Sequence, residues 1–180
     1  MNAGVEIVAL KPADLVAYKA LRDTMLAQHE DAFTSSAASE SGRSAESYLF
    51  RLSQAGANGT LFTLCAWAGG QMVGAVSCER DSRAKVAHVG HIVGMMVRDE
   101  RQGLGVGGAL LGAALSLARA DHSLEQLVLT VTAGNSRAAR LYARAGFVRY
   151  GCQPRAIKLP ATKAAPALYL DKDLMVCTLR

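Results

Sequence analysis

Residues Gln102 to Gly108 read QGLGVGG and place four glycines within six positions. An apolar, strand-like run from Val86 to Val97 precedes this stretch, and an apolar run with helical spacing from Ala109 to Ala120 follows it. Glycine permits positive φ angles and a close approach of the backbone to a ligand. Amide groups at the start of a helix also meet the positive end of its dipole. The stretch therefore predicts a loop that binds a phosphate or diphosphate group.

Two common phosphate-binding loops do not explain this stretch. The P-loop pattern G-x-x-x-x-G-K-[ST] is absent from the chain. The dinucleotide pattern G-x-G-x-x-G is matched by Gly103, Gly105 and Gly108, but residues 98–102 separate it from the preceding strand. In a dinucleotide-binding domain an acidic residue ends the next strand, whereas here Glu125 begins it. A nicotinamide-dependent enzyme is therefore disfavoured.

The order of the predicted elements indicates a mixed α/β fold. We expect one domain over residues 1–180, with a central mixed, twisted sheet of about seven strands and about four helices on its faces. Residues 34–42, rich in serine and alanine, are expected to form a mobile loop. Strands are predicted at Val5–Leu10, Leu61–Ala68, Met72–Glu79, Val86–Val97, Leu127–Thr132, Phe147–Tyr150 and Leu174–Leu179. Helices are predicted after Ala13, over Ala45–Leu52, over Ala109–Ala120 and over Ser136–Ala145.

The composition excludes several classes of protein. Apolar residues make up 51% of the chain and charged residues 19%, which argues against wholesale disorder. None of the four cysteines belongs to a C-x-x-C pair, so we expect no metal site. The uncharged run from Leu52 to Cys78 is interrupted by glycine, asparagine and glutamine, so we expect no membrane span. With no disulfide framework and no signal-peptide pattern, we expect a cytoplasmic location.

The net charge of +5 is concentrated at the C-terminal end. Residues 137–180 carry +7, whereas residues 1–136 carry −2. Such a basic segment favours an anionic cofactor, an acidic substrate or RNA. The arginines are spread out, however, and no block of five or six like charges is present, so a nucleic-acid-binding arm is not predicted.

Two motifs resemble those of the GCN5-related N-acetyltransferase (GNAT) superfamily. Gln102-x-x-Gly105-x-Gly107 resembles its acetyl-CoA loop, [Q/R]-x-x-G-x-[G/A]. A later segment, Asn135-x-x-Ala138-x-x-Leu141-Tyr142-x-x-x-Gly146-Phe147, is similar to its N-x-x-A-x-x-L-Y-x-x-x-G-F helix. The resemblance covers about residues 86–150 and implies an acetyl-CoA-dependent N-acetyltransferase. The acceptor would be a primary amine of a small molecule, an amino acid, or a peptide or protein N-terminus.

The resemblance also implies where acetyl-CoA binds. It would lie in a V-shaped gap where the parallel strands Val86–Val97 and Leu127–Thr132 splay apart. The backbone of Met95 and Val97 would pair with the pantetheine arm, and Asn135 would either sit beside that arm or only cap its helix. Backbone amides of the loop would hold the diphosphate, and these belong to Gln102, Gly103, Leu104, Gly105, Val106 and Gly107.

Two catalytic roles follow from the same resemblance. Tyr142 resembles the tyrosine that donates a proton to the departing CoA thiolate. His91 stands where histone-acetylating members carry a glutamate, and an imidazole with an unperturbed pKa of ~6.5 suits proton abstraction from an amine near neutrality. Glu79, His88 or a water molecule remain alternatives for the base. A backbone amide near Met95–Val97 is expected to stabilise the oxyanion.

The acceptor is less defined by the sequence. By resemblance, the first two helices and a closing hairpin would form its pocket, with Phe33, Arg155 and Lys158 as candidate lining residues. The two cations would favour an anionic acceptor. A non-catalytic CoA-sensing or RNA-associated module of the same fold is the alternative function, and a homodimer is one assembly that the sequence leaves open.

Overall fold

Seven strands form one sheet in the order β1-β2-β3-β4-β5-β7-β6. The computed structural model describes residues 4–52, 59–161 and 165–180, so residues 53–58 of the uncharged run lie outside the described residues. All neighbouring strands are antiparallel except β4 and β5, which are parallel. The strands are β1 Glu6–Ala9, β2 Thr60–Ala68, β3 Gln71–Arg80, β4 Val89–Val97, β5 Gln126–Thr132, β6 Val148–Leu159 and β7 Leu168–Thr178.

Helices pack against both faces of this sheet, which confirms the predicted mixed α/β class. The α-helices are α1 Leu15–Gln28, α2 Ala37–Ser41, α3 Val106–Ala120 and α4 Ser136–Arg144. Short 3-10 helices occupy Pro12–Asp14, Glu30–Ala32, Ala45–Arg51 and Asp99–Arg101. Among the helices that the structure describes, none has the length and hydrophobicity required to cross a bilayer.

Two apolar clusters lie on opposite faces of the sheet. Successive side chains of a strand point to opposite faces, and in β3 the cluster that contains Ala75 includes α1, whereas the cluster that contains Val76 includes α3. The apolar face predicted for α1 is the buried one. Its buried residues are Leu15, Tyr18, Leu21, Arg22, Met25 and Leu26. We refer to the two sides of the sheet as the α1 face and the α3 face.

The sequence patterns predicted several helix and strand boundaries at the wrong residues. Residues 34–42 are not all loop, because Ser36 Oγ accepts a hydrogen bond from Ser39 N at 3.1 Å and starts α2. The predicted helix over Ala45–Leu52 is a 3-10 helix. Helix α3 begins three residues earlier than predicted, at Val106, so the last two glycines of the QGLGVGG stretch lie in its first turn. Residues 86–88 form a turn rather than the start of β4.

The last two strands are much longer than predicted. β6 and β7 pair over 12 and 11 residues and form a hairpin that continues past the rest of the sheet. Most of β6 is exposed and it contains Pro154, so its sequence has no apolar alternation by which to recognise a strand. Pairing with β7 stabilises it instead, supported by an ion pair between Arg149 Nε and Asp173 Oδ1 at 2.7 Å.

The parallel strands β4 and β5 separate after a short paired segment. Their pairing covers only Val89–His91 opposite Gln126–Val128, although both strands continue beyond it. A bulge interrupts the pairing of β4 with β3 on its other side, and Gly94 within it has φ +60°. A bulge bends the strand that contains it and increases its local twist. The C-terminal half of β4 therefore leaves β5 and exposes an unpaired backbone edge between the two strands.

Two buried thiols make stability depend on pH in the alkaline range. Burial raises the pKa of Cys65 and of Cys78 from 9.0 to about 12. The thiol pKa is higher in the folded protein than in the unfolded chain, so the unfolded chain ionises first as the pH rises. The stability of the folded protein is therefore fully retained below pH 9 and is lost as the pH rises towards 12. We expect each thiol to lower the free energy of unfolding by about 1.4 kcal/mol per pH unit within that window.

Urea unfolding between pH 8 and 11, with reductant present, measures this dependence. Cys65→Ala should flatten the pH profile, whereas Cys152→Ala, at an exposed thiol, should not change its slope. An identical slope in all three proteins would show that Cys65 is not a source of the pH dependence.

Candidate functional site

A cavity of about 670 Å³ lies between the end of β4, the start of α3 and one face of α4. The unpaired edge of β4 forms one of its walls. The structure brings most of the predicted cofactor residues together here, and those that line the cavity are Met95, Val97, Gln102, Gly103, Gly105, Gly107 and Asn135. Leu104 and Val106 are the exceptions, because the first is 54% exposed and the second is buried in the core. The predicted catalytic residue Tyr142 lines the same cavity.

The glycine stretch leaves several backbone N–H groups free at the cavity. Gly103 and Gly105 have φ of +80° and +87°, which side chains rarely permit. The first hydrogen bond of α3 runs from Ala109 N to Gly105 O at 2.9 Å. Among the described residues, no backbone acceptor pairs with the N–H groups of Val106, Gly107 or Gly108. Free N–H groups at the start of a helix are able to bind an anion.

Gly107 packs closely against side chains beside this loop. A Cβ at this position would lie 3.2 Å from Leu141 Cδ2 and 3.4 Å from Met95 Cε. The first contact is tighter than most Cβ contacts, so the end of the Leu141 side chain would have to shift by a few tenths of an ångström to admit a larger residue. The absence of a side chain therefore lets α3 approach α4 and the edge of β4 without such a shift.

A polar chain fixes the loop to the elements around it. Gln102 Nε2 donates hydrogen bonds to Val97 O at 3.0 Å and to Asp99 Oδ1 at 2.6 Å, and Arg137 donates to Gln102 Oε1. Asp99 also pairs with His29 Nε2 at 2.7 Å. The glutamine therefore positions the loop relative to the end of β4.

Arg137 is a site residue that the sequence analysis missed. It lines the cavity, and its Nη2 would lie 3.7 Å from a Cβ at Gly103. A cation at this position adds to the attraction of the free N–H groups for an anion. Its signal in the sequence was an arginine two residues after Asn135, at the start of the basic C-terminal segment.

Asn135 caps its helix, which is one of the two roles that the sequence left open. Its Oδ1 accepts a hydrogen bond from Ala138 N at 3.1 Å and so caps α4. The residue also lines the cavity. Because the cap occupies Oδ1, the side-chain NH₂ is its remaining hydrogen-bonding group for a ligand.

Tyr142 lies on α4 at the wall of the cavity and is 7% exposed. Its ring packs edge-to-face against Phe147, with 6.0 Å between the centroids. Burial alone raises the pKa of Tyr142 to about 12, so its hydroxyl stays protonated at neutral pH. The phenol can therefore act as a hydrogen-bond donor inside the cavity.

The candidate bases lie in two different places. His91 is exposed and does not line the cavity, and it stands directly opposite Glu79 in the pairing of β4 with β3. Glu79 forms an ion pair with Arg51. His88 lines a separate cavity of about 370 Å³ at the start of β4 and β5, beside His122. His88 is therefore distant from the bulge of β4, which argues against it as the general base.

Strand alternation places His91 and Tyr142 on opposite faces of the sheet. Ile92, the next residue of β4, belongs to the apolar cluster of the α3 face, so His91 points to the α1 face. Tyr142 belongs to the cluster of the α3 face. The gap between β4 and β5 connects the two faces. A group that passes through the gap could therefore meet a proton acceptor on one side and a proton donor on the other.

The predicted acceptor residues are not all at the cavity. Phe33 lines it. Arg155 and Lys158 instead lie on the β6–β7 hairpin over the ring of Tyr169, with the guanidinium carbon 3.6 Å and the ammonium nitrogen 5.8 Å from its centroid. Neither cation lines the cavity. In the described part of the chain, no group of three or more His, Cys, Asp or Glu side chains is arranged to hold a metal ion.

Comparisons with known proteins agree with this geometry. Residues 21–147 match the model of the acetyltransferase (GNAT) family. A GNAT-family acetyltransferase from Streptococcus pneumoniae is 27% identical, with a TM-score of 0.78 over 97% of this chain and 98% of that one. A phosphinothricin acetyltransferase from Sinorhizobium meliloti, solved in complex with acetyl-CoA, is 17% identical, with a TM-score of 0.80 over 97% and 88%.

A third structure, the ribosomal-protein-alanine N-acetyltransferase from Brucella melitensis, is 22% identical, with a TM-score of 0.77 over 96% of this chain and 99% of that one. A sequence comparison with curated proteins gives no match. The family model covers well over half of the chain and includes both motifs of the cavity. The chain therefore belongs to the GNAT family of acetyltransferases.

Proposed function

We propose that this protein is an N-acetyltransferase that moves an acetyl group from acetyl-CoA to a primary amine. The acceptor would be a small molecule, an amino acid, or a peptide or protein N-terminus. The observation that carries the proposal is one continuous cavity that joins the free N–H groups of the glycine loop to the hydroxyl of Tyr142 along the unpaired edge of β4. The four free cysteines suit a reducing compartment, and we infer a single catalytic domain in the cytoplasm.

The residues present fit the diphosphate and the pantetheine arm of acetyl-CoA. The N–H groups of Val106, Gly107 and Gly108, with Arg137 beside them, suit a diphosphate. The backbone of Met95 and Val97 lies on the unpaired edge of β4 and suits the amides of a pantetheine arm, as an added strand would. When bound, acetyl-CoA supplies the acetyl group as an activated thioester.

The side chains on the two faces would divide the proton transfers. On the α1 face, the amine loses a proton to His91, directly or through water, before its nitrogen attacks. The new C–N bond forms as the C–S bond breaks, and the sulfur leaves with the electron pair. On the α3 face, Tyr142 donates a hydrogen bond to that sulfur. The acylated nitrogen then loses its second proton to become a neutral amide, and this proton balances the one that the thiolate takes up when CoA is released as the free thiol.

Calorimetry with acetyl-CoA, followed by an assay of thiol release with a panel of amines, tests the proposal. We expect saturable binding and thiol release that depends on an added amine. Binding without release for amino acids, dipeptides, polyamines and aminoglycosides would favour a non-catalytic CoA-sensing or RNA-associated module. Absence of binding at millimolar acetyl-CoA would contradict both functions.

A further inference from the structure

A group of polar side chains lies on the α1 face, beside the point where β4 leaves β5. It consists of Tyr18, Arg51, Glu79 and His91, and we call it the acceptor-side cluster. Glu79 and His91 face each other on β3 and β4, and Arg51 forms an ion pair with Glu79 from the neighbouring 3-10 helix. None of these residues lines the cavity assigned to acetyl-CoA.

The hydroxyl of Tyr18 is buried near the bulge of β4 without a hydrogen-bond partner among the described residues. The side chain is fully buried, and a Cβ on Gly94 would lie 3.9 Å from its Oη. The neighbouring Ser77 hydroxyl pairs with Thr63 Oγ1 at 2.8 Å, and it also lies near enough to the Tyr18 oxygen to lower the pKa of the phenol, as a donor to that oxygen would, against a larger rise caused by burial. Such a donor leaves the phenol proton itself without an acceptor. A buried polar group without a partner costs about 1–3 kcal/mol. Folded proteins contain few such groups, and a bound water, ion or ligand can satisfy those that remain.

Arg51 contains a second unsatisfied donor in the same cluster. Its Nη1 is paired with Glu79, but its Nε is buried with no hydrogen-bond partner among the residues that the structure describes. The guanidinium stacks on Phe50 at 4.7 Å from the ring centroid, which holds its orientation. Arg51 also lies close enough to Tyr18 for its charge to lower the pKa of that phenol, against a larger rise caused by burial.

The charge around this cluster favours an anion. Behind Tyr18, Arg22 and Arg43 share the single carboxylate of Glu40, which also accepts a hydrogen bond from Tyr48. Arg51 and Glu79 balance each other. These five paired side chains comprise three guanidinium groups and two carboxylates, which is one positive charge in excess within the set.

We propose that Arg51 Nε and Tyr18 Oη bind the carboxylate of a free amino acid, whose amino group then faces His91. This inference rests on the proposed function and names the acceptor class. A carboxylate accepts from both donors and carries the charge that the region lacks. A polyamine would bring another cation to Arg51, and a peptide N-terminus would offer only a neutral carbonyl at this position.

The test compares kcat/KM for amino acids, the corresponding primary amides and a polyamine, with thiol release as the readout. We expect the free amino acid to be preferred over its amide by at least about tenfold, as expected for a hydrogen bond to a charged group. Arg51→Met should remove this preference, and Arg51→Lys should restore part of it because it retains the charge.

Tyr18→Phe removes only the unpaired hydroxyl and keeps the packing of the ring. We expect the KM for the amino acid to rise about tenfold and the Kd of acetyl-CoA to stay unchanged, with the melting temperature retained or raised because an unpaired buried hydroxyl is removed. The matched control is Tyr150→Phe, at an exposed ring on β6, which should alter none of these values.

Three outcomes would overturn the inference. Thiol release that is faster with amides or a polyamine than with free amino acids would reject the acceptor class while leaving N-acetyl transfer intact. A preference for free amino acids that survives Arg51→Met unchanged would place the carboxylate elsewhere. Acetyl-CoA binding without release for any amine would reject the proposed function itself and this inference with it.

Discussion

Replacing Tyr142 with phenylalanine should lower kcat about 10- to 150-fold while the Kd of acetyl-CoA changes less than about twofold. The expected size of this fall in kcat follows from the pKa of Tyr142. Burial raises the pKa of Tyr142 to about 12, well above the ~8.5 of a free thiol, so complete proton transfer to the sulfur is unfavourable. A hydrogen bond to the charge that develops on the sulfur remains. Such a bond contributes about 1.5–3 kcal/mol, close to the lower end of general-acid effects.

Single-turnover thiol release, measured with saturating acetyl-CoA and amine, isolates the step concerned. Phenylalanine preserves the contact with the Phe147 ring, so the melting temperature should stay near that of the unmodified protein. Tyr150→Phe, on the exposed side of β6, serves as the matched control. If both variants transferred acetyl at the unmodified rate, Tyr142 would be a packing residue of the cavity wall and another group would stabilise the sulfur.

The elements that the sequence predicted well are those whose signals are local. The buried face of α1 follows from apolar spacing within one helix. Asn135 and Gly146 mark the two ends of α4, as a side-chain cap at the start and a residue with φ +97° just after the end. The hairpin of β2 and β3 turns through Gly69 and Gly70, both with positive φ. Each of these signals depends on a few neighbouring residues.

The features that escaped prediction depend on partners distant in the chain. Strand β6 exists because β7 pairs with it, and its own exposed residues carry no periodic pattern. Arg137 reaches Gln102 across 35 positions, so only the fold reveals that it belongs to the loop. The separation of β4 from β5 was expected from family resemblance alone, because a single glycine at 94 within an apolar run does not specify a bulge.

On the acceptor side of the sheet, even more of the structure depends on contacts that the sequence does not indicate. His91 was singled out by its position relative to the loop, and Glu79 by its place at the end of a strand. The sequence did not indicate that Arg51 would neutralise Glu79 or that Tyr18 would bury an unpaired hydroxyl near Gly94. Its own candidates for an anionic acceptor, Arg155 and Lys158, lie over the ring of Tyr169 instead.

Gly105→Val should raise the Kd of acetyl-CoA by more than about 100-fold. Gly105 has φ +87°, and a β-branched residue avoids this region because its side chain clashes with the backbone. The loop would leave its conformation and move the N–H groups of Val106 and Gly107 away from the diphosphate. Two lost hydrogen bonds to a charged group, each contributing about 1.5–3 kcal/mol, account for the expected loss.

Gly70→Val is the control that separates binding from backbone strain. Gly70 has φ +76° in the β2–β3 turn, and a Cβ at either glycine would meet no atom within 4 Å, so both substitutions introduce a similar strain into open space. Both should lower the melting temperature by similar amounts, but calorimetry should show weakened acetyl-CoA binding only for Gly105→Val. Equal Kd values in the two variants would mean that the diphosphate does not depend on this loop, because the strain is the same and only the position differs.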